Sequence, residues 1–239
     1  MGGRLRQFGA VTAELVFGSV CAGCGSEPGL ICAECRDRLY GSGPTVRPLS
    51  AEPGSPAVAA AASYGDAARE IILAHKERGR LGLARPLGEA LAVAVAALLE
   101  GSPSGDGGAQ RTGDAVMRTA LVPVPSTRRA VRRRGHDAVA RMTRHAARVL
   151  RRGGLDCTVV CALRHRRDVV DQSGLSVPQR AENLAGALTV RRGTGRLLPG
   201  CAVVVVDDIV TTGATLREAR RALHESGYRP SGAAVVAAA

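Results

Sequence analysis

A chain of 239 residues is long enough for one ordinary domain with a sizeable core plus a small accessory module. Its 45% hydrophobic and 23% charged content exclude an intrinsically disordered chain. The net charge of +12 comes almost wholly from arginine, with Lys76 the lone lysine, in a chain rich in Ala and Gly; this reads in part as compositional bias. With 2% aromatics and no Trp, a base-stacking platform is hard to build, so the charge suits phosphorylated ligands or a nucleic-acid backbone without choosing between them.

The first twenty residues, "MGGRLRQFGAVTAELVFGSV", have the basic and apolar character of a signal peptide. Glu14 interrupts the apolar part and no small-x-small cleavage site follows, which reads as mature, cytoplasmic protein. No apolar run is expected to span a bilayer, because "LGEALAVAVAALLE" (Leu87–Glu100) is short and carries Glu89.

Four of the seven cysteines fall within fifteen residues, as Cys21-Ala-Gly-Cys24 and Cys32-Ala-Glu-Cys35. Two C-x-x-C knuckles at this spacing point to a four-thiolate Zn²⁺ site, structural because four protein ligands leave no open position. A disulfide pairing is disfavoured in a reducing compartment, and a redox pair needs one C-x-x-C beside a strand rather than two facing each other. Cys157, Cys161 and Cys201 sit in apolar runs and read as small core residues.

The Gly/Pro/Ser-rich stretch Gly41–Pro56 reads as a linker between a zinc-knuckle module (1–45) and an α/β domain (57–239). Beyond it the pattern predicts a strand in "AVAAAASYG", a helix over Asp66–Arg80 capped by Asp66, and a second helix in "RPLGEALAVAVAALLE". Gly101–Asp114 reads as a flexible loop. From Thr119 the predicted order is a strand in "TALVPVP", a helix over Arg134–Arg151, strands in "CTVVCAL" and "CAVVVVDD", a helix over Thr215–Glu225 and a last strand in "GAAVVAAA". Strands without polar alternation that alternate with helices predict an α/β fold, a mainly parallel twisted sheet flanked by helices. Val131, Ala138, Val139, Met142, Ala146, Val149 and Leu150 form one apolar stripe; Arg141, Arg144, Arg148, Arg151 and Arg152 fall largely off it, as a solvated face or a phosphate-backbone groove.

"VVVVDDIVTTGATLREA" (Val203–Ala219) raises the sharpest question, since acids ending a buried strand need a partner. A strand ending at Val206 would bring Asp207 and Asp208 out at the carboxyl edge of the sheet, where open α/β folds bind ligands. Thr211, Thr212, Gly213, Ala214 and Thr215 would then make a turn whose N–H groups and hydroxyls, at a helix N-terminus, suit a phosphate. Two carboxylates suit a sugar diol, so acids plus cradle describe a sugar phosphate. A Walker loop needs a lysine that is not there, no G-x-G-x-x-G follows a strand, and a receiver domain places its acids near its start. "STRRAVRRRG" (Ser126–Gly135) follows another strand end, and Arg128 or Arg129 there is an anion-binding candidate.

"VVVVDDIVTTGATL" resembles the phosphoribosyl-pyrophosphate signature of type I phosphoribosyltransferases. With the knuckles at Cys21–Cys35, "ILAHKERGR", "LVPVPSTRRAVRRRGHDAVARM" and "DQSGLSVPQRAENLAGAL" in that order, the chain from about Cys21 onward resembles the ComF family of competence-associated, phosphoribosyltransferase-like proteins. The resemblance implies that Asp207 and Asp208, the catalytic pair, hold the ribose hydroxyls and that Thr211–Thr215 cradle the 5′-phosphate. It also puts the pyrophosphate loop at Ser126–Arg129, and Gln172, Arg180 and Asn183 on a mobile loop that closes over the site. At "RGHDAVA" the chain departs from the family, with His136 and Asp137 where an aromatic and Asn are usual.

Two functions stay open under that resemblance. One is a phosphoribosyltransferase that binds phosphoribosyl pyrophosphate with Mg²⁺ and transfers the phosphoribosyl group to a nitrogenous base. The other is a DNA-uptake protein that binds single-stranded DNA or a partner such as a DNA-uptake helicase, using the cradle for binding only. Homo-oligomerisation is compatible with either.

Overall fold

The computed structural model describes residues 20–26, 28–40, 43–52, 54–101, 118–166 and 184–239. The long loop expected after Gly101 falls outside them over 102–114, as do Gln172, Arg180 and Asn183.

A short helix, α1 (Ala33–Tyr40), begins inside the second cysteine knuckle and carries Cys35. Strand β1 (Thr45–Pro48) lies in the stretch expected to be a linker and pairs antiparallel with β2 (Ala57–Ser63). Val46 is exposed there, so the strand carries no buried apolar pattern that the sequence could have displayed.

Next come α2 (Asp66–Glu77) and α3 (Ala84–Glu100). Asp66 is not the cap: Gly65 occupies that position without a side-chain bond, and Asp66 sits in the first turn, where a carboxylate still favours the positive helix end. The apolar run is longer than Leu87–Glu100. Leu81–Glu100 spans 20 residues and is long and apolar enough to cross a membrane by length and composition, but it is 61% buried within the fold. It packs as a core helix against the sheet and the helix Ala138–Arg152.

After β3 (Thr119–Pro123), a helix α4 (Arg128–Arg134) lies in the stretch expected to precede a helix, and the helix expected at Arg134–Arg151 is α5 (Ala138–Arg152). Gly135 ends the first in the left-handed region at φ 78°. Asp137 caps the second, its carboxylate accepting from the Ala140 N–H at 3.1 Å. Val131 and Ala138 are seven residues apart, two helical turns, so the apolar period runs unbroken across the break and hides it.

"CTVVCAL" also divides. Strand β4 (Cys157–Val159) joins the main sheet, and β5 (Leu163–His165) leaves it to pair antiparallel with β6 (Leu188–Val190). The chain finishes with β7 (Ala202–Val210), α6 (Ala214–Glu225) and β8 (Pro230–Ala238). The main sheet has the order β1-β2-β8-β7-β3-β4, parallel from β2 to β4, with β1 antiparallel at its edge.

Two apolar layers bury this sheet. Val204 and Val206 face a core with Ile71, Ile72, Leu87, Leu91 and Met142 from α2, α3 and α5. Val203 and Val205 face the other, with Leu216 and Leu223 of α6 and Leu163 and Leu188 of the small sheet. The alternation is the two-residue period of a strand buried on both sides. Cys21, Cys32, Cys35 and Leu39 belong to the first core, so the cysteine region packs onto the α/β body rather than standing apart.

Candidate functional site

Strand β7 does not stop at Val206. It continues to Val210, so Asp207 and Asp208 lie within the strand and are only 7% and 6% exposed. The β-branched residues on both sides, Val203–Val206 and Ile209–Val210, carry the ladder past the acids, and Asp207 and Ile209 pair with Val235 and Ala237 of β8.

Adjacent strand residues point to opposite faces. The Asp207 carboxyl turns along the strand, its Oδ1 accepting from the Asp208 N–H at 2.8 Å. Asp208 Oδ2 accepts from Lys76 Nζ at 2.6 Å. Burial, with the Asp208 charge beside it, pushes Asp207 well above the usual carboxylate range. Burial opposes ionisation of Asp208 too, but the Lys76 ammonium and its hydrogen bond hold that carboxylate below its ordinary value. The two acids are thus driven apart in their titration, with the Lys76 ammonium beside the more acidic one.

Lys76 and its neighbours on α2 join this pair to the loop after β3. Glu77 accepts from Arg133 at 2.7 Å and from Arg134, whose Nε donates at 3.3 Å, so the end of α2 is fastened to α4. His75 is buried, its ring nitrogens 3.4 Å from the carbonyls of Arg80 and Ala138, and its ring lies 5.6 Å from that of His136. Asp137, besides capping α5, accepts from the Ser126 N–H at 3.0 Å and from the Ser126 hydroxyl at 3.3 Å. A carboxylate thus pins the Ser126–Arg129 turn at its first residue. Arg128 and Arg129 are exposed in the first turn of α4, which Thr127 caps by accepting from the Ala130 N–H at 3.2 Å.

The bend at Thr211–Thr215 forms as expected and leads into α6. Gly213 is left-handed at φ 72°, and a Cβ there would lie 2.8 Å from Leu49 Cδ1. Residues 211–216 line a cavity of ≈ 50 Å³ with Leu184, Ile209 and Val210, and the neighbouring cavity of ≈ 360 Å³, lined by Arg47–Ala51 and Val58, shares Val210 and Thr211. Neither cavity is lined by the two acids, which lie deeper, with Lys76 on Asp208. The sequence reading of the site passed over Lys76 and Asp137. Its signal for the first was a lone lysine among 33 basic residues, in a motif otherwise used only for the resemblance.

The cysteine cluster forms as its spacing predicts. The four Sγ atoms lie within 4.8 Å of one another. Cys24 Sγ and Cys32 Sγ are 3.8 Å apart, and Zn–S bonds of about 2.3 Å place tetrahedral sulfurs about 3.8 Å from each other. Backbone N–H groups of Gly23 and Cys32 point at Cys21 Sγ at 3.4 and 3.3 Å, and that of Cys35 at Cys32 Sγ at 3.4 Å. Burial raises the Cys21 thiol, but these N–H donors outweigh it and bring it down to about 6. Burial and the neighbouring thiols drive Cys35 far up. Four thiolates cannot coexist here without a cation, and Zn²⁺ fits the donor set and its spacing.

No protein-family model matches this chain. Among curated proteins, an orotate phosphoribosyltransferase of Pelotomaculum thermopropionicum is 43% identical over 56 residues, covering 23% of this chain and 29% of the relative. Competence protein F of Haemophilus influenzae is 30% identical over 119 residues, half of each chain. The chain thus spans half the length of one relative and under a third of the other. With a mostly parallel sheet and a four-cysteine cluster, the chain is similar to competence protein F over half its length and to an orotate phosphoribosyltransferase over 56 residues.

Proposed function

We propose that the chain binds phosphoribosyl pyrophosphate with Mg²⁺ and transfers the phosphoribosyl group to a nitrogenous base. One observation carries this reading: a buried carboxylate pair on β7 runs within three residues into a hydroxyl-bearing bend at the N-terminus of α6. Acceptors for a diol and donors for a phosphate thereby lie on one strand-to-helix connection. Asp207 and Asp208 take the ribose 2′- and 3′-hydroxyls. The N–H groups and hydroxyls of Thr211, Thr212, Gly213, Ala214 and Thr215 take the 5′-phosphate, and the Ser126–Arg129 turn takes the pyrophosphate.

In the reaction the C1′–O bond breaks and pyrophosphate leaves with the electron pair. A nitrogen lone pair of the base forms the new C1′–N bond, and the nitrogen releases its proton. The acid pair offers hard oxygen donors that fit Mg²⁺ arriving with the pyrophosphate. When bound, that ion neutralises part of the leaving charge.

The test is pyrophosphate release with a panel of nucleobases. Release with at least one base, lost in Asp207→Asn/Asp208→Asn, supports transfer; no release with any base contradicts it.

The exposed Arg144 and Arg148 on α5 favour a second reading, single-stranded DNA handling, which also draws on the name of the competence relative. Arg141 is half-buried and Arg151 is engaged with the Cys157 carbonyl at 3.0 Å, whereas Arg144 and Arg148 are exposed, Arg148 also reaching the His145 ring at 3.3 Å, with Arg152 exposed beyond them. Replacing Arg144 and Arg148 by Ala should lower the slope of log affinity against log salt by about 0.7 per arginine for a single strand. An unchanged slope removes this reading.

A further inference from the structure

We infer that Lys76 is a ligand-contacting residue of the phosphoribosyl site, the cation that meets the pyrophosphate oxygen next to C1′. The inference rests on the phosphoribosyl reading and adds a residue to it.

Lys76 is the outermost member of the buried charge cluster. Its side chain is 31% exposed while that of Asp208 is 9% exposed, with Nζ 2.6 Å from Oδ2, so a ligand that reaches the acid from outside meets the ammonium. Its neighbour Glu77 is already held by Arg133 and Arg134, which leaves the Lys76 charge to Asp208 and to whatever binds there. The same two arginines end the helix that begins in the Ser126–Arg129 turn, so the last turn of α2 carries both the contact to Asp208 and the contact to that helix.

Ligand chemistry gives the rest. In a pentose the C1′ substituent is the vicinal neighbour of the 2′-hydroxyl. With Asp208 taken as the acid that receives the 2′-hydroxyl, the cation on it is within reach of the oxygen joining C1′ to pyrophosphate. An ammonium has three donors, so Nζ keeps Asp208 and still offers protons to phosphate. Burial works against the charge of Lys76, but the two carboxylates outweigh it and raise its pKa, so the ammonium is present through the neutral range. Lysine acts on phosphate as a point charge, and here it lies where the leaving group gathers negative charge.

Titration calorimetry with two probes separates this role from a structural one: phosphoribosyl pyrophosphate with Mg²⁺, and ribose 5-phosphate, which lacks the pyrophosphate. Lys76→Met should weaken the first by about tenfold or more, the value of a charge-assisted hydrogen bond. It should leave the second within about twofold. Lys76→Met strands Asp208 without its counterion, so Lys76→Gln, which still donates to Asp208 but carries no charge, is measured beside it with the same expectation. Thermal unfolding of both variants verifies the fold. Equal loss for both probes, or no loss for either, overturns the role of Lys76. A wild-type protein that binds neither probe overturns the phosphoribosyl reading itself and this inference with it.

Discussion

Asp207 is pushed above the usual carboxylate range while Asp208 is held below it, and that asymmetry has a pH signature. Asp207 has a folded-state pKa raised above its unfolded value by burial and the Asp208 charge. Its contribution is therefore fully present below the ordinary carboxylate range and is lost as pH rises through the raised value. Asp207→Asn removes the group that must ionise. Thermal melts from pH 4 to 8 should show wild type losing stability with rising pH relative to the variant, and the two converging at low pH; parallel curves would show that Asp207 ionises normally. Asp137 has the other residue-level role. Asp137→Ala should cost about 1 kcal/mol as a lost cap and should also weaken binding at the Ser126–Arg129 turn, which it holds through two hydrogen bonds. At this scale the acids and the threonine bend were legible in the sequence, because unusual residues in an apolar run announce themselves. Lys76 and Asp137 were not, since each acts across 132 or 11 residues of chain, a pairing no local pattern encodes.

Among the elements, the crossing of α3 and α5 depends on Gly88. A Cβ there would meet His145 Cβ at 2.5 Å, the Met142 carbonyl at 2.7 Å and the Ala146 nitrogen at 2.9 Å, so the two helix backbones approach closely. Gly88→Ala should destabilise by about 1–3 kcal/mol through overpacking, read as a lower urea midpoint; an unchanged midpoint would show that the helices separate freely. Most elements were legible from periodicity. The misread ones have definite causes. β1 is an exposed edge strand whose pairing lies in its backbone. The α4–α5 break falls within a conserved two-turn step of the apolar stripe, and only Gly135 and the Asp137 cap mark it. β7 outruns its apolar run because a ladder to β8 continues beneath the acids. The β5–β6 pair is anchored by Glu218, which accepts from the Leu188 N–H at 2.8 Å and from Arg221, a contact 30 residues away in sequence.

For the molecule as a whole, the cysteine cluster and the α/β body share one core, with Leu39 of α1 packed among residues of α2 and α3. Tyr40 strengthens this union, donating its hydroxyl toward Glu89 Oε2 at 3.0 Å and the Pro86 carbonyl at 3.2 Å. Loss of the metal should therefore be felt in the main unfolding transition. Elemental analysis should find about one zinc per chain. A strong chelator, or Cys35→Ser, should lower Tm by about 2–4 °C for each kcal/mol lost in a chain of this size. A metal-free protein with unchanged Tm would separate the cluster from global stability. The fold class was legible because it depends on the order of apolar runs; the union of cluster and body was not, because it depends on contacts made only once the chain is folded.

The proposed activity stands on Asp207 and Asp208 holding a ribose whose phosphate sits in the bend that follows. Titration calorimetry of the wild-type chain with phosphoribosyl pyrophosphate and Mg²⁺, against Asp207→Asn/Asp208→Asn, tests this most directly. The account predicts a saturable isotherm for the wild type and none for the double variant, with both proteins folded by circular dichroism; equal binding by the two would contradict it.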